Sequence, residues 1–333
     1  MLVLSLILIG TLLQVDYRAN CHAVGIAFLI SYRGYERKSF SLEGALSAFT
    51  VGSITMAHSL IAGCLLMIFY FGGTMATRYC AEEKKAMDGE ASVKAARGVM
   101  QVACTAGVGV VLLTLHKPFW QAGVWGGGCF PTNKLLRSFV GSICCALGDT
   151  LASELGILSI QEPRLITNPF RKVPRGTNGG VTLDGFFLSA GGGLVIGAST
   201  LALVIYTADC SSDGMLLLPE DLASPSSVRF LILSGLAGLV GSVVDSLLGA
   251  TLQASYLYKG KVISAPLPKG VSCEKAILLR VGEKWVPQGR DSDNTQGKHV
   301  EGVAYHISGV NVLSNEIVNL ISAMAAAAFL YAI

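Results

Sequence analysis

Residues 138–160 read SFVGSICCALGDTLASELGILSI, an apolar run long enough to cross a bilayer that nevertheless carries Asp149 and Glu154 near its end. A crossing needs about 20 predominantly apolar residues. Ionisable groups inside such a run cost at least about 2.5 kcal/mol each near the bilayer centre, so their presence marks a site before anything else is known. A basic stretch follows directly, with Arg164, Arg171, Lys172 and Arg175, and closes as KVPRGTNGGV at residues 172–181.

Working outward, apolar runs of similar length recur along the chain. Of its 333 residues 52% are hydrophobic and 14% charged, against roughly a quarter charged in soluble domains, so the apolar excess must face something other than water. The expected fold class is all-α: a polytopic transmembrane bundle of about 6–8 helices, many of them Gly-rich, forming a single integral membrane domain over residues 1–333 with a basic cytoplasmic loop. Candidate membrane segments are 2–13, 23–32, 44–72, 97–115, 138–160, 185–207, 228–254 and 310–333. Residues 2–13 lack the basic n-region of a signal sequence and read as a first membrane helix, or a truncated one. Residues 23–32 are short enough for a half-helix or a re-entrant piece, and 74–96 form a charged loop. Residues 255–309 form a long hydrophilic loop, with a small β element expected around AILLRVGEKWVP.

The net charge of +3 and the absence of any nucleic-acid motif argue against nucleic acid as a partner. The nine cysteines form no CxxC pair and the histidines no HExxH, so neither a disulfide framework nor a zinc site is indicated. Alternating the hydrophilic segments across the membrane places 18 Lys and Arg on one side and 7 on the other, or 10 against 7 without the longest loop. The positive-inside rule makes the first side cytoplasmic. In that topology the segment 33–43 lies on the opposite side.

The polar groups within the helices then gather at the cytoplasmic end. Arg97 and Gln101 open one helix, Asp149, Ser153 and Glu154 close another, and Asp245, Ser246 and Gln253 close a third. Asn311, Asn315, Glu316 and Asn319 begin the last, with the three asparagines recurring every four residues on one stripe. The segments DTLAS (149–153) and DSLLG (245–249) echo each other, which fits two carboxylates sharing a divalent cation or paired carrier repeats around a site.

Magnesium takes oxygen ligands, commonly one or two carboxylates with phosphate and water completing an octahedron. Asp149, Glu154 and Asp245 are the expected ligands. Lys172, Arg175 and Arg97 are the expected cations that offset charge during phosphoryl transfer. Gly176, Gly179 and Gly180 would let backbone N–H groups approach phosphate, with Thr177 and Asn178 adding donors. Gln101, Asn315 and Asn319 complete the expected substrate and nucleotide contacts. No GxxxxGK[ST] P-loop is present.

The blocks GDTLASELG (148–156), PRLITNPFRKVPRGTNGGVT (163–182), GLAGLVGSVVDSLLGATLQ (235–253) and SNEIVNL (314–320) resemble those of the transmembrane protein 19 family. Its plant and cyanobacterial members are phytyl-phosphate kinases, and the similarity runs in order over roughly residues 35–330. More loosely, an Asp-bearing GDxxAxxxG helix followed by a basic glycine loop is similar to dolichol kinase, phytol kinase and CDP-diacylglycerol synthase, which use CTP and magnesium. The segment 265–300 is longer than in animal members. The resemblance implies a phosphotransferase that converts a prenyl monophosphate to the diphosphate with a nucleoside triphosphate, CTP being one candidate. It also implies Asp149 as a metal or nucleotide ligand, and an endomembrane or organelle membrane with the site facing the cytoplasm. The alternative function is a transporter or channel for a small anion or metabolite, with Asp149 and Asp245 at its paired repeats.

Overall fold

The computed structural model describes residues 21–81, 96–121, 133–207, 225–268, 271–276, 278–281, 284–287 and 302–333. The run 2–13 and most of the charged loop after residue 81 lie outside them. Among the described residues there are eight α-helices: α1 (Cys21–Glu36), α2 (Leu42–His58), α3 (Leu60–Arg78), α4 (Val99–Gln121), α5 (Lys134–Leu155), α6 (Leu183–Thr207), α7 (Pro225–Leu252) and α8 (Asn315–Ala332). The six from α3 to α8 are long and apolar enough to cross a membrane.

Helix α5 is the axis of the bundle. Its run from Leu135 to Gly148 is largely buried, and Phe139, Val140, Ile143, Cys144 and Leu147 form one apolar cluster with residues of α3, α4, α6, α7 and α8. Small residues let the backbones touch, since between membrane helices packing rather than water exclusion drives association. A Cβ on Gly148 would lie 2.5 Å from the Ser189 carbonyl oxygen, and one on Gly141 would lie 2.5 Å from that of Ala326. Asn133 starts α5 by accepting from the Leu135 and Leu136 amides at 3.0 and 3.2 Å, which satisfies donors left over at a helix N-terminus.

The apolar run 44–72, expected as one crossing, is two antiparallel helices. Ser59 is extended (φ −158°, ψ 132°), donates its N–H to Thr55 O and accepts from the Ala62 amide through its side chain, ending α2 and capping α3 at once. A straight helix over Leu42–Arg78 would hold its ends roughly 50 Å apart, yet Phe40, just before the first, and Arg78, at the second, border one cavity. The reversal brings the α1–α2 turn against the start of α4: Ser41 N–H donates to Arg97 O at 3.1 Å, Arg97 N–H to Ser39 O at 3.0 Å, and Phe40 stacks on Tyr70 of α3 with centroids 5.4 Å apart. Segment 33–43 therefore lies on the same side as Arg97, correcting the alternation assumed from sequence. At sixteen residues, α1 is about 24 Å long, more than the half-helix expected over 23–32.

Among the described residues, three small sheets lie at this end. Within the basic stretch after α5, β1 (Arg164–Leu165) pairs antiparallel with both β2 (Asn168–Lys172) and β3 (Gly180–Val181). In the long segment after α7, β4 (Ser255–Tyr258), β5 (Lys261–Ser264), β6 (Ser272–Lys275) and β9 (Val303–Ser308) form a sheet ordered β5-β4-β9-β6. The strand element expected near AILLRVGEKWVP is the hairpin β7 (Leu278–Val281) and β8 (Lys284–Pro287), with Leu279 opposite Val286. Leu165, Val173, Ala250, Leu257, Tyr305 and Ile307 join the first two sheets to the end of α7 in a second core.

The last helix begins at Asn315, not near Val310. The N–H groups of Val310, Val312 and Leu313 instead bond the carbonyls of Thr251 and Leu252, which are among those α7 leaves unpaired at its C-terminus. Asn311 is thereby an exposed residue of this strap and leaves the asparagine stripe.

Candidate functional site

One cavity of about 840 Å³ opens among the ends of α1, α3, α5 and α7 and the starts of α4 and α8. Asp149, Glu154, Arg97, Gln101, Asp245, Ser246, Gln253, Asn315, Glu316 and Asn319 all border it, so helices far apart in sequence deliver their polar residues to one place.

Asp149 reaches the cavity from α5 and Asp245 from α7, near enough for their charges to interact. Asp245 Oδ2 is buried with no hydrogen-bond partner, a costly state for a carboxylate oxygen unless something positive meets it. Glu154 belongs to a different arrangement. Thr77 of α3 donates to its Oε1 at 3.2 Å, and the Arg97 guanidinium lies within electrostatic reach. Burial lowers the Arg97 pKa from its ordinary value, while Tyr70 and Glu154 oppose that shift. Gly73 leaves room for this arginine, whose Nη2 would sit 3.9 Å from a Cβ placed there.

Sequence reasoning missed part of the lining. Tyr70, Thr77 and Arg78 of α3, Ser322 of α8, and Arg37 and Lys38 of the α1–α2 turn also border the cavity. The reversal at Ser59 is what brings Arg37 and Lys38 to this rim. The lone Ser-capped break in the apolar run was the only available signal for it.

Several expected site residues have other duties. Lys172 does not border the cavity; it points to the surface and pairs with Glu162 at 2.6 Å. Arg175 does border it, but its guanidinium donates to the carbonyls of Ile157 and Ser159, fastening the chain after α5. The Thr177 hydroxyl is buried and donates to Pro174 O at 2.7 Å. The Asn178 N–H donates to Ser255 Oγ at 3.0 Å and its side-chain amide to Ser264 Oγ at 3.3 Å. Gly180 N–H donates to Thr177 O at 2.9 Å. Gly179, with φ 75°, is needed because a Cβ would lie 2.4 Å from that of Ala250; Gly176 shares its positive φ, 81°. The glycine stretch is thus a turn that joins the first sheet to α7 and β4, and most of its donors are spent within the protein.

The expected carboxylate triad is not assembled: among the described residues no three His, Cys, Asp or Glu side chains come together as a metal shell. Glu154 sits one turn beyond Asp149 and turns toward Thr77 and Arg97. The pair Asp149 and Asp245, with its unpartnered oxygen, still fits a hard divalent cation that takes two carboxylates and fills its remaining positions with phosphate and water.

The sequence profile of the integral membrane protein family DUF92 matches residues 25–327. The chain belongs to this family. The DUF92 match runs from α1 into α8 and so takes in the helices that build the cavity. Protein PGR of Arabidopsis thaliana is 35% identical over 74% of this chain and 84% of its own length. An uncharacterized membrane protein of Methanocaldococcus jannaschii is 28% identical over 61% of this chain and 72% of its own. Protein VTE6, chloroplastic, of Arabidopsis thaliana is 35% identical over 44% of this chain and 42% of its own length. No solved structure matches. This DUF92 protein is accordingly a multi-pass integral membrane protein set in lipid.

Proposed function

We propose that this protein is a membrane-embedded, magnesium-dependent kinase that phosphorylates a prenyl monophosphate to the diphosphate with a nucleoside triphosphate, CTP among them. The observation that carries the proposal is the composition of the cavity. Facing carboxylates, one with an unpartnered oxygen, stand in the same space as Arg97 and a basic rim, and that space continues into apolar walls. The resemblance of the GDTLASELG and PRLITNPFRKVPRGTNGGVT blocks to those of phytyl-phosphate kinases supports the same chemistry.

A phosphate monoester is already an anionic nucleophile, so no general base is needed. One of its oxygens forms a bond to the γ-phosphorus, the bond from that phosphorus to the β–γ bridging oxygen breaks, and the nucleoside diphosphate leaves with the electron pair. Catalysis of this kind is positioning and charge stabilisation. Arg97 neutralises charge on the transferring group, held in place by Glu154, which Thr77 orients in turn. Asn315, Asn319 and Gln253 offer amide contacts to the nucleotide. Asp149 and Asp245 would hold magnesium, which supplies positive charge to the phosphate oxygens.

Among the described residues Arg33, Arg37, Lys38, Arg78, Arg97, Arg164, Arg171, Lys172 and Arg175 cluster at the site end, while Lys134, Arg137 and Arg229 lie at the starts of α5 and α7, at the other end. That asymmetry supports a site on the cytoplasmic face. Asp245 lies seven residues from the end of α7, about 10 Å of rise. A nucleotide reaches that depth from water, whereas a carrier would place its site near the midplane.

The test is turnover by detergent-purified protein given a panel of prenyl monophosphates, magnesium and labelled CTP or ATP, beside Asp149→Asn. Diphosphate made by the native protein and lost in the variant supports the proposal. No product with any donor, from protein shown to be folded, overturns it and directs measurement to anion flux across reconstituted vesicles.

A further inference from the structure

The polar groups occupy only one part of the cavity. Away from Arg97 it runs between the first four helices, lined by Val51, Gly52 and Met56 of α2, Leu66 of α3, and Val102 and Ala106 of α4. Val51 is 2% exposed and Ala106 6%, and Leu66 and Val102 pack against them in one apolar cluster, so the walls on this side of the cavity are closely packed and carry no charge. Met56 lies fourteen residues beyond Leu42, the start of α2, which puts it about 20 Å deeper along the helix axis. The hydrocarbon layer is about 30 Å thick, so the arm runs within the depth of the lipid tails. A water-soluble nucleotide gains nothing there, because apolar walls leave its polar atoms without partners.

We propose that this arm seats the hydrocarbon tail of the phosphate-bearing substrate, and that Met56 closes its far end and sets the chain length accepted. The proposal rests on the kinase reading for the identity of the head group. The head stands at Arg97, Asp149 and Asp245, and the tail passes between α2 and α4 toward the Ser59 reversal. Gly63 allows Met56 to take this place, since a Cβ there would lie 2.5 Å from Met56 Cγ. Methionine suits the role because its unbranched, flexible side chain fills the end of an irregular apolar space.

The experiment uses full-length protein in detergent, with geranyl, farnesyl and geranylgeranyl monophosphates carrying a terminal diazirine. Labelled residues are identified by mass spectrometry, with and without excess unlabelled compound. The expected result is competable label on α2 and α4 at and around Met56. Met56→Trp should shift relative competition toward the shorter chains and Met56→Ala toward the longer, each changing the farnesyl to geranylgeranyl ratio about tenfold. Label confined to the outward-facing Leu46 and Met75, 61% and 72% exposed, and indifferent to competitor overturns the tail site. An unchanged chain-length order in both folded variants also overturns it. Turnover with label outside the arm leaves the kinase standing without this tail site. Competable label in the arm with no turnover leaves an amphiphile site without the kinase, and the lack of both removes the two together.

Discussion

Asp245→Asn should invert with magnesium. In the cation-free protein the Asp245 Oδ2 atom is buried without a hydrogen-bond partner and its carboxylate interacts with that of Asp149. A buried polar group left unsatisfied costs about 1–3 kcal/mol, and more when charged. The amide removes the charge but stays polar, so the variant recovers the lower end of that range, about 1 kcal/mol. At about 2–4 °C per kcal/mol, it should melt a few degrees above the native protein when chelator is present. Magnesium reverses the order, because a ligand at a hundredfold its Kd stabilises by about 2.7 kcal/mol. The native protein gains that stabilisation and the variant, holding one carboxylate of two, does not. Intrinsic-fluorescence melting in detergent, with chelator and then with a magnesium titration, reads both terms. A variant that melts below the native protein in chelator, or one that rises equally with magnesium, would refute the carboxylate pair as the cation site.

Gly238→Ala should destabilise by about 1–3 kcal/mol, because its Cβ would lie 2.5 Å from Ser189 O and 3.1 Å from Gly193 N, both backbone atoms. Gly191→Ala, with nothing within 4 Å of the new carbon, should melt at or above the native temperature through helix propensity. Arg97→Ala should lower turnover about 100-fold or more, the order seen when one charge-stabilising donor is removed. Arg97→Lys should recover only part of it, since a point charge lacks the planar fork. Lys172→Ala should keep full activity and lose at most about 1 kcal/mol, the scale of an exposed ion pair; a large loss of turnover would return this residue to the site. In a cysteine-depleted background, Lys38→Cys and Lys259→Cys should react with an impermeant thiol reagent from one face of sealed vesicles and Arg229→Cys from the other. Modification of Lys38→Cys from the Arg229 face would sink the α2–α3 reversal.

The membrane class, the central helix and most of the polar lining were legible in the chain itself. Apolar run length is a local property, and a charge such as Asp149 or Asp245 within such a run advertises itself without knowledge of its neighbours. The positions of Arg97, Gln101, Asn315 and Asn319 near helix ends on one side followed from the same counting. Which side a segment occupies is not local, because each missed break inverts everything on one side of it. The extended backbone at Ser59 did so for 33–43, and only the folded chain puts Arg37 and Lys38 beside Arg97. The fate of a donor is likewise tertiary. From Lys172, Arg175, Thr177 and Asn178 one reads available charge and hydrogen bonds, whereas Glu162, Ile157, Pro174 and Ser255, partners met only on folding, consume them. The apolar arm was the least legible element, since Val51, Val102 and Ala106 look like ordinary core, and whether such side chains meet one another or border a space is decided by how four helices pack.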